Sequence, residues 1–346
     1  MTRHKPYKKI LMWALAVVFA VSAAMATAVP AFADVSEEDE YIMRLAGNNR
    51  FETSAIISLF MYDDDEADAI VIVNGLDYPD ALAAAPFASS VGAPILMVDG
   101  KSGIFDPAVA EEIDRIDSNH NADIYIIGGE RAVSEKVVTQ LKTAGYKNIS
   151  RIYGDNRFKT AVKIARSIDD KEIAFIANGM NYPDALGAGS AASLYGGAIL
   201  FTGKDKLDTA TKEYLEHIGF DSVVILGGTG AVSKAVEDEL KTLQDEVIRI
   251  EGKDRYDTCL QLAEIFFETT DFVVTATGMG FADALAGGPF AAAIDAPILL
   301  LNPNSNTIDA DIKNYIKSSG TEYVVVLGGT SAINNTIYKE LEKLVK

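Results

Sequence analysis

Three arginine side chains recur at intervals of about 100 residues, each in the same sequence environment, a period typical of a small domain. They are Arg50, Arg157 and Arg255, the second arginines of the pattern R-[LI]-x-G-x-[ND]-R-[FY]-x-T. A guanidinium binds a phosphate or a carboxylate through two parallel hydrogen bonds. Three copies in one chain could therefore bind a repetitive anionic ligand at three points and gain avidity. The structural alternative is that each arginine pairs with an aspartate of a neighbouring repeat.

A second repeated motif carries an aspartate directly before an Ala-Leu pair. Its first copy reads N-G-L-D-Y-P-D-A-L over residues 74–82, and the other copies occupy 178–186 and 277–285. The aspartates are Asp80, Asp184 and Asp283. Each could cap the N-terminus of the following helix. Each could instead accept a hydrogen bond from a ligand hydroxyl or hold a bridging cation.

A third candidate feature is a double glycine near the end of each repeat. The candidate binding positions are the second glycines, Gly129, Gly228 and Gly329. A polar residue follows five positions later in each copy, at Ser134, Ser233 and Asn334. A glycine-rich loop that enters a helix N-terminus can bind an anion, whereas the structural interpretation is a tight turn followed by an N-cap.

Apolar runs and helical spacings alternate along each repeat, and these elements must position the candidate residues. In the middle copy we predict strands at 149–153, 173–177, 197–201 and 223–226, and helices at 156–168, 185–195, 209–218 and 233–243. Buried strands separated by helices predict a parallel sheet with right-handed crossovers. Each repeat is therefore expected to form a Rossmann-like, three-layer α/β module with four strand–helix pairs. Asn49, Asn156 and Asp254 are predicted N-caps, and Glu52 could complete a capping box with Asn49.

The first 33 residues are typical of a secretory signal peptide. Four basic residues precede an apolar run at 10–29, and Ala31-Phe32-Ala33 is a cleavage signal, which makes Asp34 the expected first mature residue. Beyond residue 33 no uncharged apolar run approaches 18 residues, so we expect no membrane contact after cleavage. The net charge of −19 argues against a nucleic acid partner. A local arginine cluster can still bind an anion, because exposed charges are screened beyond about 10 Å.

Enzymatic alternatives lack their usual motifs. In the second motif only the third repeat has a G-x-G, at Gly278 and Gly280, because Asp77 and Asn181 take the place of the second glycine in the other copies. This G-x-G lacks the third small residue of a dinucleotide-binding loop. A zinc amidase would need more than the separated His120 and His217, and neither H-E-x-x-H nor G-x-S-x-G is present. We therefore expect no catalytic residues, no metal ligands and no cofactor.

Together with the [AG]-[PA]-I-L segments at 93–96, 197–200 and 296–299, these motifs resemble the type 2 cell-wall-binding repeat of secreted Gram-positive proteins. The resemblance divides the chain, after a spacer at 34–41, into repeats at 42–148, 149–246 and 247–346. It implies three Rossmann-like modules packed as a pseudo-threefold intramolecular trimer.

The same resemblance implies a non-catalytic anchor that is secreted and held at the cell wall. Its expected partner is an anionic secondary wall polymer, such as a teichoic-acid-like glycopolymer. One alternative is a structural, S-layer-like surface protein, which would differ in self-association. The other is a wall hydrolase, an N-acetylmuramoyl-L-alanine amidase.

Overall fold

The computed structural model describes residues 41–169, 171–181 and 183–345. The predicted signal peptide and all but the last residue of the spacer therefore lie outside the described residues. The described chain alternates strands and helices throughout, and its strand pairs are parallel. The α/β fold class with Rossmann-like modules is confirmed.

The element bounds repeat closely from one copy to the next. The first repeat contains β1 (Ile42–Leu45), α1 (Arg50–Leu59), β2 (Ala69–Asn74), α2 (Ala84–Ser90), β3 (Ile95–Val98), α3 (Pro107–Ile116), β4 (Asp123–Ile127) and α4 (Glu135–Ala144). The second contains β5 (Ile149–Ile152), α5 (Arg157–Arg166), β6 (Ile173–Asn178), α6 (Ala188–Leu194), β7 (Gly197–Thr202), α7 (Thr209–His217), β8 (Ser222–Leu226) and α8 (Lys234–Leu243). The third contains β9 (Val247–Ile250), α9 (Arg255–Phe266), β10 (Phe272–Thr277), α10 (Ala282–Ala293), β11 (Ile298–Leu301), α11 (Ala310–Ser318), β12 (Tyr323–Leu327) and α12 (Asn335–Val345).

The first strand of each repeat belongs to the sheet of another repeat. In the described residues the sheets have the orders β3-β2-β4-β5, β7-β6-β8-β9 and β1-β12-β10-β11. The first strand of the second and of the third repeat completes the preceding sheet, and β1 completes the last sheet. The expectation that each repeat supplies all four strands of its own sheet is therefore wrong, and the boundaries drawn from the repeat period stay a prediction.

This exchange closes the chain into a ring. The strand β1 pairs with β12 from Ile42 opposite Val324 to Leu45 opposite Leu327. One hydrophobic cluster extends through all three repeats, and further clusters lie in the first and third repeats. Burial of apolar side chains is the main favourable contribution to folding, so the shared cluster stabilises the three repeats as one body.

The helices α2, α6 and α10 pack against one another at the centre of the ring. Their contact is close because the residue five positions after each motif aspartate is small: Ala85, Gly189 or Gly288. A Cβ added to Gly288 would lie 2.7 Å from the Ala85 Cβ, and one added to Gly189 would lie 3.3 Å from it. These three positions lie on the pseudo-threefold axis that relates the repeats.

In the described part of the chain no helix is long and apolar enough to span a membrane.

Candidate functional site

The motif arginines (Arg50, Arg157 and Arg255) lie at the carboxyl edge of the sheets, each at the first position of a helix. Each donates a hydrogen bond through Nη1 to the glycine carbonyl that follows the neighbouring strand of its own repeat. The N–O distances are 2.7 Å from Arg50 to Gly75, 2.7 Å from Arg157 to Gly179 and 2.7 Å from Arg255 to Gly278. Arg50 is exposed, and Arg157 and Arg255 are partly buried. An arginine carries five N–H donors, so this one bond leaves most of its donor capacity unused.

Each motif arginine also faces the preceding repeat around the ring. The Arg50 guanidinium lies 5.4 Å from the centre of the Phe281 ring, and the Arg157 guanidinium lies 5.8 Å from the centre of the Tyr78 ring. A cation at this distance from an aromatic face is attracted to it. The stacking joins the third repeat to the first and the first to the second.

The motif aspartates (Asp80, Asp184 and Asp283) face the same junctions. Burial raises their pKa values above the ordinary range, and a motif arginine of the next repeat lowers each value again in part. The pairs are Asp80 with Arg157, Asp184 with Arg255, and Asp283 with Arg50. Among the described residues these pairs are not among the ion pairs closer than 4.0 Å. The attraction therefore joins neighbouring repeats without a direct salt bridge.

The motif aspartates do not act as side-chain N-caps of the following α-helices, so that interpretation is wrong. Asp80 has φ −81° and ψ −33°, a helical conformation, and its side chain makes no capping bond. Asp184 lies inside a short 3-10 helix, and Asp283 lies inside α10. An N-cap residue needs an extended backbone to bring its side chain to the free N–H groups. These aspartates have helical positions instead of that extended backbone.

Their carboxylates instead lie over the first glycine of each double-glycine turn. A Cβ on Gly128 would lie 2.9 Å from the Asp80 Oδ2, and the same clash would occur at Gly227 with Asp184 and at Gly328 with Asp283. These glycines have φ values of +106°, +89° and +90°. A side chain is therefore excluded both by the left-handed backbone and by the aspartate.

The second glycines (Gly129, Gly228 and Gly329) begin tight turns. The Gly129 carbonyl accepts hydrogen bonds from Ala132 N at 2.8 Å and Val133 N at 3.0 Å, and the other two turns repeat this arrangement. Asn334 then caps α12, because its Oδ1 accepts from Thr336 N and Ile337 N at 3.0 Å. Ser134 and Ser233 occupy N-cap positions without a side-chain capping bond. The tight-turn interpretation describes all three loops, and the side-chain cap is formed only at Asn334.

The predicted N-caps of the arginine helices are confirmed. Asn49, Asn156 and Asp254 each accept a hydrogen bond from a backbone N–H of the first turn. The capping box is displaced by one residue, because Glu52 accepts from the Asn48 N–H at 2.8 Å rather than from that of Asn49. The caps fix the helix starts and hence the positions of the motif arginines.

The first arginine of each pattern was part of the sequence motif but was not singled out as a candidate. These anchor arginines, Arg44, Arg151 and Arg249, hold the double-glycine turn of the preceding repeat through its first carbonyl. The N–O distances are 2.6 Å from Arg44 to Gly328, 2.9 Å from Arg151 to Gly128 and 2.6 Å from Arg249 to Gly227. Their recurrence at the same position in all three copies was the signal that could have identified them.

The third repeat also has a pocket of about 240 Å³ beside the N-termini of α9 and α11. Its floor includes Leu260 and Ile312, and its rim includes Lys253, Asp254 and Asp309. Carboxylates outnumber cations at this rim, which disfavours an anionic ligand there. Within the described ranges no group of three or more His, Cys, Asp or Glu side chains could hold a metal ion.

The arrangement thus repeats one junction three times. At each junction the guanidinium of one repeat lies beside the partly buried aspartate of the preceding repeat, near the surface. Such a guanidinium can bind an anionic group with the donors that its glycine carbonyl does not use. The partly buried aspartates keep it in place.

The sequence matches the family model described as cell wall binding domain 2 (CWB2) at three segments: residues 44–138, 151–237 and 249–338. It is 30% identical over 314 residues to N-acetylmuramoyl-L-alanine amidase LytC of Bacillus subtilis, covering 91% of this chain and 60% of that protein. It is 29% identical over 299 residues to the amidase enhancer of Bacillus subtilis, covering 86% of this chain and 40% of that protein. The chain therefore spans less than two thirds of the length of either relative.

Two solved structures have the same fold over most of this chain. Cwp8 from Clostridium difficile superposes with a TM-score of 0.80 at 28% identity, covering 88% of this chain and 52% of that one. Cwp6 from Clostridium difficile gives a TM-score of 0.81 at 28% identity, covering 88% of this chain and 48% of that one.

Proposed function

Since this chain belongs to the cell wall binding domain 2 family, we propose that it binds an anionic secondary wall polymer at three equivalent sites, without a catalytic step. Cell wall binding and a location at the cell surface follow from the family. The polymer class, a teichoic-acid-like glycopolymer, and export with cleavage after Ala33 belong to the proposal.

The observation that carries the proposal is the repeated position of the motif arginines. Each is fixed by a helix N-cap and a glycine carbonyl, and each keeps part of its guanidinium at the surface. Three such groups on one rigid body can bind successive charged units of one polymer. Binding at one site raises the effective concentration of the polymer at the others, so weak individual contacts combine into firm attachment.

The acidic net charge of −19 does not oppose this mode of binding. At physiological ionic strength exposed charges farther away than about 8 Å are largely screened. The charge that a bound anionic group experiences at a junction is therefore set locally, by the guanidinium with its unused donors and by the motif aspartate beside it. The same screening predicts that wall binding weakens as salt concentration rises.

The amidase alternative rests on the name of one relative, of which this chain covers 60%. His120 and His217 lie in different repeats. His120 pairs with Asp114 at 3.4 Å, and the Nδ1 of His217 lies 2.6 Å from the Glu213 carbonyl. The chemistry of a zinc hydrolase needs two or three ligands around one metal, which this placement does not supply. The geometry supports the polymer binder better.

A sedimentation assay with isolated Gram-positive walls tests the proposal. The purified chain should bind intact walls and lose most of its binding when the walls have been stripped of their anionic polymer. Increasing salt should release it from intact walls. Equal binding to stripped walls, or hydrolysis of wall material by the purified chain, would contradict the proposal.

A further inference from the structure

One large apolar side chain is exposed at the same motif position in every repeat. These axial aliphatic residues are Leu76, Met180 and Met279, with exposed fractions of 47%, 64% and 56%. Each directly follows the glycine whose carbonyl a motif arginine holds. Scattered exposed apolar residues are normal, but the recurrence of this one beside the arginine indicates a function.

Contacts between the loops bring these positions to the pseudo-threefold axis. The Tyr78 hydroxyl donates to the Met180 carbonyl at 3.2 Å, and the Tyr78 and Phe281 rings lie 5.8 Å apart between their centres. The loops of all three repeats therefore meet at the end of the ring where the strands terminate. Leu76 and Met279 each lie two residues before one of these rings, and the Met180 carbonyl accepts the Tyr78 hydroxyl, so the three exposed side chains belong to this loop cluster. We call this surface the axial platform.

The border of the axial platform is polar and charged. Arg50 and Arg157 stack over the rings of Phe281 and Tyr78. Asp77 and Asn181, one residue after Leu76 and Met180, are exposed. The surface thus combines apolar side chains and rings with hydrogen-bond donors and acceptors at its edge.

We propose that the axial platform binds the apolar C–H face of one sugar ring of the wall polymer, next to a charged group held by a motif arginine. This proposal rests on the proposed function and identifies the polymer unit that lies on the axis. A pyranose has an apolar face and a rim of hydroxyl groups, which match the platform and its border. The charge of the arginines complements an anionic group attached to that ring.

A lipid acyl chain or an amphipathic partner helix fits this surface less well. Each needs a continuous apolar surface, whereas guanidiniums lie over the rings of this cluster and its loops carry exposed polar residues at Asp77 and Asn181. One polymer chain crossing the axis would contact more than one repeat at once. The burial of apolar surface adds a part of the binding free energy that salt does not screen.

Two sets of variants separate this contribution from the charged contacts. The first is L76S/M180S/M279S, whose side chains are exposed and whose loss should leave the fold intact. Its matched control carries I104S, I248T and I265S, which alter apolar side chains exposed by 67%, 38% and 55% away from the axis. Folding of each variant is checked by far-UV circular dichroism and thermal unfolding.

The affinity for polymer released from intact walls is then measured by titration calorimetry at several salt concentrations. The axial variant should bind about tenfold more weakly at every salt concentration, with an unchanged slope of log K against log salt, while the control binds like the wild type. Equal affinity of the axial variant and the wild type would overturn the axial proposal and leave the proposed function standing. Failure of the wild type to bind the polymer would overturn the proposed function. Binding to phosphatidylglycerol vesicles that is lost only in the axial variant, with polymer affinity unchanged, would show a lipid contact and also overturn the axial proposal.

Discussion

The packing of α2, α6 and α10 on the pseudo-threefold axis predicts that a methyl group can be moved from Ala85 on α2 to Gly288 on α10 with little change in stability. A methyl group added to Gly288 would lie 2.7 Å from the Ala85 Cβ, well inside the usual carbon–carbon contact distance of about 3.5–4.0 Å. Overpacking of this kind costs about 1–3 kcal/mol, and replacing glycine by alanine in a helix offsets about 1 kcal/mol of it. Gly288→Ala should therefore lower the free energy of unfolding by about 0–2 kcal/mol.

The reverse change on the facing helix is also expected to destabilise the chain. Ala85→Gly removes a buried methyl group, which costs about 1 kcal/mol, and adds about 0.5–1 kcal/mol of backbone entropy. The double variant A85G/G288A moves the methyl group from one helix to the other, so the clash disappears and the helix terms largely cancel. Its stability should lie within about 0.5 kcal/mol of the wild type, which gives a favourable coupling of about 1.5–4 kcal/mol.

Urea unfolding followed by circular dichroism measures the four free energies of this cycle. Gly189→Ala is a graded control, because its Cβ would lie 3.3 Å from the Ala85 Cβ and should clash less. Additivity of the two single changes within about 0.5 kcal/mol would refute the contact on the axis.

Three further predictions follow from other parts of the molecule. Hydrogen bonds from Lys241 and Arg249 lower the pKa of Glu237 to about 2, so its contribution to stability is complete above its ordinary pKa and is lost as pH falls toward 2. Glu237→Gln should reduce the free energy of unfolding by about 1–3 kcal/mol at pH 7 and by little at pH 2, with the exposed Asp238→Asn as a control. Limited proteolysis should not release stable single repeats of about 10 kDa, because each sheet contains a strand from another repeat. Recovery of such fragments would show that the repeats do not fold as one cooperative body. N-terminal sequencing of the exported chain should begin at Asp34, and a mature chain that retains Met1 would disprove the cleavage site.

Much of the fold could be predicted because buried parallel strands appear as apolar runs. The predicted strand at 197–201 is β7 at Gly197–Thr202, and the predicted helix at 233–243 is α8 at Lys234–Leu243. The strand exchange could not be predicted, because β1 and its counterparts β5 and β9 have equivalent sequences that could complete either their own sheet or the preceding one. Packing between repeats decides which sheet each of these strands completes, and the sequence of a single strand carries no information about that packing.

The residues of the candidate site could be predicted from the sequence, but the contacts between them could not. The motif arginines and aspartates were identified, but the pairing of Asp283 with Arg50 joins the two ends of the chain and requires the closed ring. The N-cap prediction for Asp80 failed because the helix is entered through a 3-10 turn, which gives the aspartate a helical backbone. The axial aliphatic residues were not predicted, because a methionine or leucine after a strand is ordinarily part of a core, and exposure depends on the neighbouring repeats.

The most direct test of multivalent polymer binding is a graded series at the motif arginines. Arg50→Gln, the double variant with Arg157→Gln and the triple variant with Arg255→Gln are compared for binding to intact walls. Because K142Q/K204Q/K317Q removes three positive charges at exposed lysines, one in each repeat, it serves as the matched control. We predict that affinity falls at each step while every variant stays folded, with a lower thermal stability because the glycine hydrogen bonds, the ring stacking and the attraction to the motif aspartates are lost. We also predict that the triple variant no longer sediments with walls and that the lysine control binds normally. Undiminished wall binding by a folded triple variant would contradict the account.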